Sequence, residues 1–302
     1  MLPNLFVIPI VNLSVYTYGI MMASGFLIAV YISFLQAKKF GCYSNDVLDF
    51  SFWVLLGGLL GARTLYIIIE WQNFFIINPW TQVANVKIPS ILAFWQGGLV
   101  IWGGLLGGFF TFLLFSYKRK IKTLIFADIL ILGLPLAQSL GRVGCIAAGC
   151  CWGKYCYYLD SIGKVATKLP LTIKFPPGSL AYEYISRACT IEEYELMKNL
   201  NSTLPLFPIQ LIESFGLMVI FFILLNIYSN KKFHGKVMFS YFILYSAFRF
   251  FVEIFRGDIM RGFIFENLLS TSQFISILVF FPSILCLIIL RYRSIKFENK
   301  KI

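Results

Sequence analysis

Charge is scarce in this chain. Only 13% of its 302 residues are Asp, Glu, Lys or Arg, against about 25% in an ordinary soluble domain. That shortage excludes the usual charged shell of a water-soluble protein. Histidine is scarcer still, with His234 as the single example. Chemistry needing two imidazoles is therefore excluded. No internal repeat stands out, which argues against transporter folds built from two related halves. The first basic residue is Lys38, so the basic segment that precedes the apolar stretch of a cleaved secretion signal is missing. The N-terminal segment is expected to stay as a membrane span.

What the chain has in quantity is apolar surface. Hydrophobic residues make up 59% of it. Seven apolar runs of roughly bilayer-spanning length fall near 15–36, 48–70, 91–117, 124–148, 208–228, 237–255 and 273–290. The expected fold class is an all-α integral membrane protein, a single multi-pass membrane domain over 1–302. The polar stretch 150–207 is expected to form a small extracytoplasmic cap between the fourth and fifth helices. It carries 175-FPPG-178 and the acidic patch Glu192, Glu193 and Glu195. The loop 71–90 is expected on the same side, with Trp80 as an interfacial aromatic.

The formal net charge of +12 does not point to nucleic acid. The cations cluster between apolar runs: Lys38 and Lys39; Lys118, Arg119, Lys120 and Lys122; Lys231, Lys232 and Lys236; then Arg291, Arg293, Lys296, Lys300 and Lys301. Short cytoplasmic loops carry such an excess. The pattern predicts an outer N-terminus and a cytoplasmic C-terminus, which seven crossings satisfy.

Gly57 and Gly61, Gly103 and Gly107, and Gly104 and Gly108 are spaced as small-x-x-x-small. Such spacing lets helix backbones approach closely in lipid; a lipid-sized space between helices is the other reading. Charges inside the spans are costly and so are functional candidates: Arg63, Glu70, Asp128, Arg142, Glu213, Arg249 and Glu253. Asp128 sits near the cytoplasmic mouth of its run. At about 1.5 Å per helical residue, most of the others gather in the outer half, with Tyr18, Gln210 and Gln273. Glu253 is i+4 from Arg249, on one helix face. Several arginines at one depth need an anion. That is either the internal carboxylates or a phospholipid phosphate, which guanidinium grips with two parallel hydrogen bonds.

The cysteines read C-x4-C-C-x4-C at Cys145, Cys150, Cys151 and Cys156. Three readings stand open: a disulfide or inert thiols, a reactive thiol, and a metal site lacking the common C-x2-C pair. Cys42, Cys189 and Cys286 are scattered and read as filler.

The stretch 141-GRVGCIAAGCCWGK-154 resembles the signature G-R-x-G-N-F-x-N-x-E-x-x-G of the prolipoprotein diacylglyceryl transferases. The resemblance runs along most of the chain. Tyr18-Gly19 looks like the Tyr-Gly of the family's first helix, and Gly61 to Arg63 like its G-G-R. The stretch 97-GGLVIWGGLLG-107 resembles G-G-M-S-x-H-G-G-L-x-G, and 208-PIQLIES-214 resembles H-P-S-Q-L-Y-E. The stretch 248-FRFFVEIFRGD-258 resembles F-R-x-x-V-E-F-F-R-x-P-D, and 270-STSQFIS-276 has the S-x-G-Q-x-x-S shape.

The resemblance implies transfer of diacylglyceryl from phosphatidylglycerol to the lipobox cysteine thiol of a prolipoprotein, with release of glycerol phosphate. It implies a multi-pass protein of the bacterial cytoplasmic (inner) membrane, with no metal or organic cofactor and no nucleic acid. By carry-over, Arg142 and Arg249 hold the phosphate, Glu253 orients Arg249, and Tyr18 contributes a hydroxyl. Arg63, Arg256 and Gln210 complete the donor site. Cys145, Cys150, Cys151 and Cys156 are the candidate reactive or disulfide cysteines. The sequence departs from the pattern where the chemistry lies. Trp102 and Phe207 stand at the family's histidines, Cys145 at its Asn and Cys150 at its Glu. Two alternatives remain: a related lipid transferase with another acceptor, and a non-enzymatic lipid-binding or thiol-redox membrane protein.

Overall fold

The computed structural model describes residues 4–8, 13–39, 43–77, 80–83, 86–92, 97–161, 164–257, 262–264 and 269–298. Cys42, Asp258, Lys300 and Lys301 lie outside them. The described chain is mainly helical. Six stretches are long and apolar enough to cross a membrane: Thr17–Lys39, Ser44–Ile69, Ile101–Lys118, Thr123–Ala148, Ile209–Ser229 and Thr271–Lys296. The protein is a multi-pass, all-α membrane protein. The seventh expected span is also a helix, Lys236–Glu253. It carries Lys236, Arg249 and Glu253, so it is less apolar than the other six.

The chain divides into two compact units, residues 33–126 and residues 1–32 with 127–302. In the smaller unit, helix α2 (Ser44–Ile69) packs against α3 (Ile101–Lys118). The glycine spacing explains how closely. A Cβ on Gly61 would overlap the carbonyl oxygen of Gly103, and one on Gly107 would overlap that of Gly57. Gly57, Gly61, Gly103 and Gly107 close the helices onto each other, while Gly104 and Gly108 stand at ordinary contact distance. At the other end of the pair, Phe50, Phe112, Phe115 and Phe126 form an aromatic cluster.

Helix α3 starts ten residues later than its apolar run predicts. Gly97 and Gly98 both adopt left-handed backbone, with φ of 85° and 76°, which cannot continue a right-handed helix. The described residues of the expected loop 71–90 carry regular structure. They form a π-helical turn (Asn73–Ile77) and a hairpin of β3 (Trp80–Val83) and β4 (Val86–Pro89), following β1 (Asn4–Ile8) and β2 (Leu13–Tyr16) in the other unit. Trp80 is exposed.

The larger unit contains most of α1 (Thr17–Lys39) and is built on a helix bundle. The fourth apolar run is interrupted at 131–133, giving α4 (Thr123–Leu130) and α5 (Leu134–Ala148). Pro135 at the start of α5 has no N–H to donate, so the helix is free to restart there. Helices α1 and α5 cross at small residues: a Cβ on Gly25 would lie 2.9 Å from the Ala137 oxygen. Helix α5 packs on α8 (Ile209–Ser229), α8 on α9 (Lys236–Glu253), and α9 on α10 (Thr271–Glu298). The buried Ser139 and Ser214 hydroxyls, 2.8 Å apart, join α5 to α8.

Between α5 and α8 the chain builds a lobe of its own, with the hairpin β5 (Tyr157–Leu159) and β6 (Val165–Thr167) and the helices α6 (Leu180–Ala188) and α7 (Ile191–Leu200). Its core is Trp152, Phe175, Ala181, Ile185, Met197, Leu204 and Leu206. Thr190 and Glu193 form a reciprocal capping box at the start of α7. Backbone bonds fasten the lobe to the end of α9: Lys154 N–H donates to the Phe255 carbonyl, and Gly257 N–H to that of Trp152. Phe207 stacks on Phe255 with ring centres 5.3 Å apart.

Candidate active site

Helix direction decides what meets where in the larger unit. Tyr18 lies in the first turn of α1, Gln210 and Glu213 in the first two turns of α8, and Ser272 in the first turn of α10. Arg142 and Cys145 lie in the last two turns of α5, and Arg249 and Glu253 in the last two of α9. These starts and ends share one end of the bundle, where the lobe is also attached.

The centre of that end is Glu213, whose side chain is 3% exposed. Its Oε1 accepts from Arg249 Nη1 at 2.9 Å and from Arg256 Nη1 at 3.3 Å. Its Oε2 lies 3.1 Å from Arg142 Nε. Three guanidinium groups, one from α5, one from α9 and one from the turn just past α9, therefore converge on one carboxylate. Glu253 adds a second carboxylate, 2.7 Å from Arg249 Nη2 and one helical turn away. The same Nη2 donates to Ser272 Oγ at 3.3 Å. Burial of one carboxylate against three cations is stable only because every charge has an opposite neighbour. The five groups together still carry one positive charge more than negative.

Gln210, fully buried, donates from Nε2 to the Cys150 carbonyl at 2.9 Å. Its Oε1 has no hydrogen-bond partner among the described residues. Tyr18 lies over Gly144, where a Cβ would sit 3.2 Å from Tyr18 Cδ2. The tyrosine remains partly exposed, at 41%.

The cysteine pattern separates in space. Cys145 is in the last turn of α5. Gly149 caps that helix in left-handed conformation, and Cys150 and Cys151 follow directly. The three sulfurs lie within 4.8 Å of one another. Cys156 is not with them; it sits in the lobe, its backbone bonded to Pro205 and Lys168. The six described cysteines are free thiols. Hydrogen bonds from Cys145 and Cys150 hold the Cys151 thiol far below its ordinary range, and Arg256 adds to the effect.

Arg63 belongs to the smaller unit and serves its backbone. It donates to the carbonyls of Ser90, Ile91, Gly97 and Gly98. The bonds to Gly97 and Gly98 hold the left-handed turn before α3. Trp102, in the first turn of α3, is half exposed. His234 lies between α8 and α9, at the end of the bundle away from Glu213.

Two residues carry more than sequence reasoning gave them. Glu213 was legible as a candidate internal anion, and its place as the shared partner of three arginines appears only in three dimensions. Asp128 was legible as an interfacial acid. It is fully buried and accepts from the backbone N–H groups of Gly235, Val237 and Met238, and from Lys231 Nζ at 3.2 Å. It caps the start of α9 from a neighbouring helix.

The family model for prolipoprotein diacylglyceryl transferase matches residues 4–289. The chain belongs to that family. Among its relatives, phosphatidylglycerol–prolipoprotein diacylglyceryl transferase 2 of Clostridium perfringens is 32% identical over 277 residues, covering 91% of each chain. The phosphatidylglycerol–prolipoprotein diacylglyceryl transferase of Clostridium tetani is 32% identical over 285 residues, covering 94% of this chain and 96% of its own. That of Streptococcus mutans is 31% identical over 279 residues, covering 92% of each. Within this diacylglyceryl transferase family, the arginine cluster falls on the motif stretches at 141–154, 208–214 and 248–258.

Proposed function

We propose that the protein transfers the diacylglyceryl group of phosphatidylglycerol to the thiol of a prolipoprotein cysteine. The observation that carries this is the excess of guanidinium over carboxylate around Glu213. A phosphodiester monoanion matches the remaining charge, and three arginines supply more donors than two carboxylates use. The acceptor thiolate attacks the glyceryl carbon that bears the phosphate oxygen. A C–S bond forms, the C–O bond breaks, and its electron pair leaves on glycerol phosphate. Negative charge grows on that phosphate during the step, and fixed cations in a water-poor site stabilise it most.

Arg142 and Arg249 bind the phosphate, with Arg256 beside them. Glu213 and Glu253 hold the arginines in place. Gln210 and Tyr18 face the lipid head. Arg63 is given a different part, as the brace of the loop before α3. The protein works in the bacterial cytoplasmic membrane with this site in the outer half. The support is the position of Lys231, Lys232 and Lys236 at the opposite end of the bundle, where short cytoplasmic loops carry cations. On that orientation the lobe at 150–207 is an extracytoplasmic cap.

The test is purified protein in phosphatidylglycerol micelles with a lipobox peptide. Released glycerol phosphate and a diacylglyceryl mass on the peptide are the expected result. No release, beside an active family member, would sink the reading. Phosphate release without gain on the peptide would favour a transferase with another acceptor, which the thiols in place of the family's Asn and Glu also favour.

A further inference from the structure

We propose that Cys145, Cys150 and Cys151 form a three-thiolate site for a zinc-type divalent ion, whose open fourth position takes the acceptor thiol. This deepens the transferase reading and rests on it for the acceptor.

The first observation is geometric. Three sulfurs lie within 4.8 Å of one another. Three sulfurs at about 2.3 Å from one tetrahedral ion stand about 3.8 Å apart, so small side-chain rotations complete the set. A disulfide would use two of them and leave the third over. Soft thiolates select zinc over magnesium or calcium. The site also stands at the carbonyl end of α5: Cys145 is in its last turn and the other two follow its cap. That end of a helix favours a cation. Three thiolates around a divalent ion leave one negative charge.

The second observation is chemical. An acceptor thiol has a pKa of about 8.5 and attacks as thiolate. No imidazole stands at this end of the bundle among the described residues. The carboxylates Glu213 and Glu253 are engaged by arginines. A metal-bound thiol is deprotonated outright. Three protein ligands and one open position are the pattern of a catalytic rather than a structural zinc. The open position also lies near the phosphate donors. Arg142 precedes Cys145 by one turn of α5, and Gln210, one turn before Glu213 on α8, donates to the Cys150 carbonyl.

The step balances. The acceptor R–SH binds the ion as thiolate and its proton goes to water. The sulfur then forms its bond to the glyceryl carbon as the C–O bond to phosphate breaks. The electron pair leaves on glycerol phosphate, and the thioether product, a weak ligand, departs from the ion.

The experiment uses full-length reduced protein in detergent, loaded with cobalt as a spectroscopic stand-in for zinc. A thiolate-to-cobalt charge-transfer band with about one ion per chain is expected. It should vanish in Cys145→Ser, Cys150→Ser or Cys151→Ser protein and persist in Cys189→Ser. A lipobox peptide should shift the band, and the same peptide with serine for its cysteine should not. Folding of each variant is checked by thermal melting. No band in folded wild-type protein, or a native disulfide between any two of the three cysteines, overturns the site. A band that the cysteine peptide leaves unmoved overturns its activating role. Full transfer by metal-free or triple-serine protein overturns the inference and leaves the transferase reading intact. A peptide-responsive band without any lipid transfer supports the site and sinks the transferase reading instead.

Discussion

Glu213 and Arg142 face each other across the α5–α8 interface, with Oε2 and Nε 3.1 Å apart. That pair is part of a larger dependence, because Arg249 and Arg256 use the other oxygen of the same carboxylate. Glu213→Gln keeps the volume and removes the charge. Three arginines would then share only Glu253. Breaking a buried ion pair from one side costs about 3–5 kcal/mol. A large drop in melting temperature in detergent is expected, together with loss of transfer. An unchanged melting curve would show that Glu213 is not the keystone of the cluster.

Arg142→Lys tests whether the guanidinium fork matters or only its charge. Lysine presents a point charge and cannot make two parallel bonds to a phosphate. Loss of a positioned donor to a developing anion costs about 100-fold or more in turnover. The expected result is a fall of that size in kcat with little change in melting temperature, because the positive charge beside Glu213 is kept. Equal activity of the lysine protein, in a phosphatidylglycerol micelle assay, would remove Arg142 from the phosphate site.

Much of this arrangement is legible in the sequence. Apolar runs gave the helices, because bilayer thickness fixes their length. The cost of charge inside a membrane singled out Arg142, Arg249 and Glu253. Two things were not legible. The start of α3 depends on backbone sign at Gly97 and Gly98, and an apolar run does not record which glycine turns left-handed. Partner choice was also hidden. Arg63 and Arg142 look alike as intramembrane arginines, yet one binds backbone carbonyls and the other a carboxylate. Sequence spacing reports partners only within a helix, as for Arg249 and Glu253, and the partners of Arg63 and Arg142 come from other segments.

Asp128 separates stability from catalysis. It caps α9 at the end of the bundle away from Glu213, accepting three backbone N–H groups. Asp128→Ala leaves those donors and Lys231 without it. The loss of one side-chain cap costs about 0.5–2 kcal/mol, and this residue serves several donors at once. Asp128→Asn keeps an acceptor oxygen and should fall between wild type and alanine. Thermal melting should follow that order. Transfer activity per folded molecule, measured below the melting range, should stay near wild type. Loss of turnover in a stably folded Asp128→Asn protein would contradict this division.

The glycines between α2 and α3 divide into two kinds, and the division is testable one methyl group at a time. At Gly61 and Gly107 an added Cβ would overlap the backbone of the facing helix. Neither backbone can yield without separating the pair, so Gly61→Ala and Gly107→Ala should lower the melting temperature clearly. Overpacking of a tight contact typically costs about 1–3 kcal/mol. At Gly104 the nearest atom to an added Cβ is the Gly58 oxygen at 3.6 Å, an ordinary contact. Alanine there removes a helix-weakening glycine, worth up to about 1 kcal/mol. Gly104→Ala should therefore leave the melting temperature unchanged or raise it. If all three substitutions destabilised alike, close backbone approach would not be what these glycines provide. If none did, the α2–α3 contact would have to be looser than its geometry.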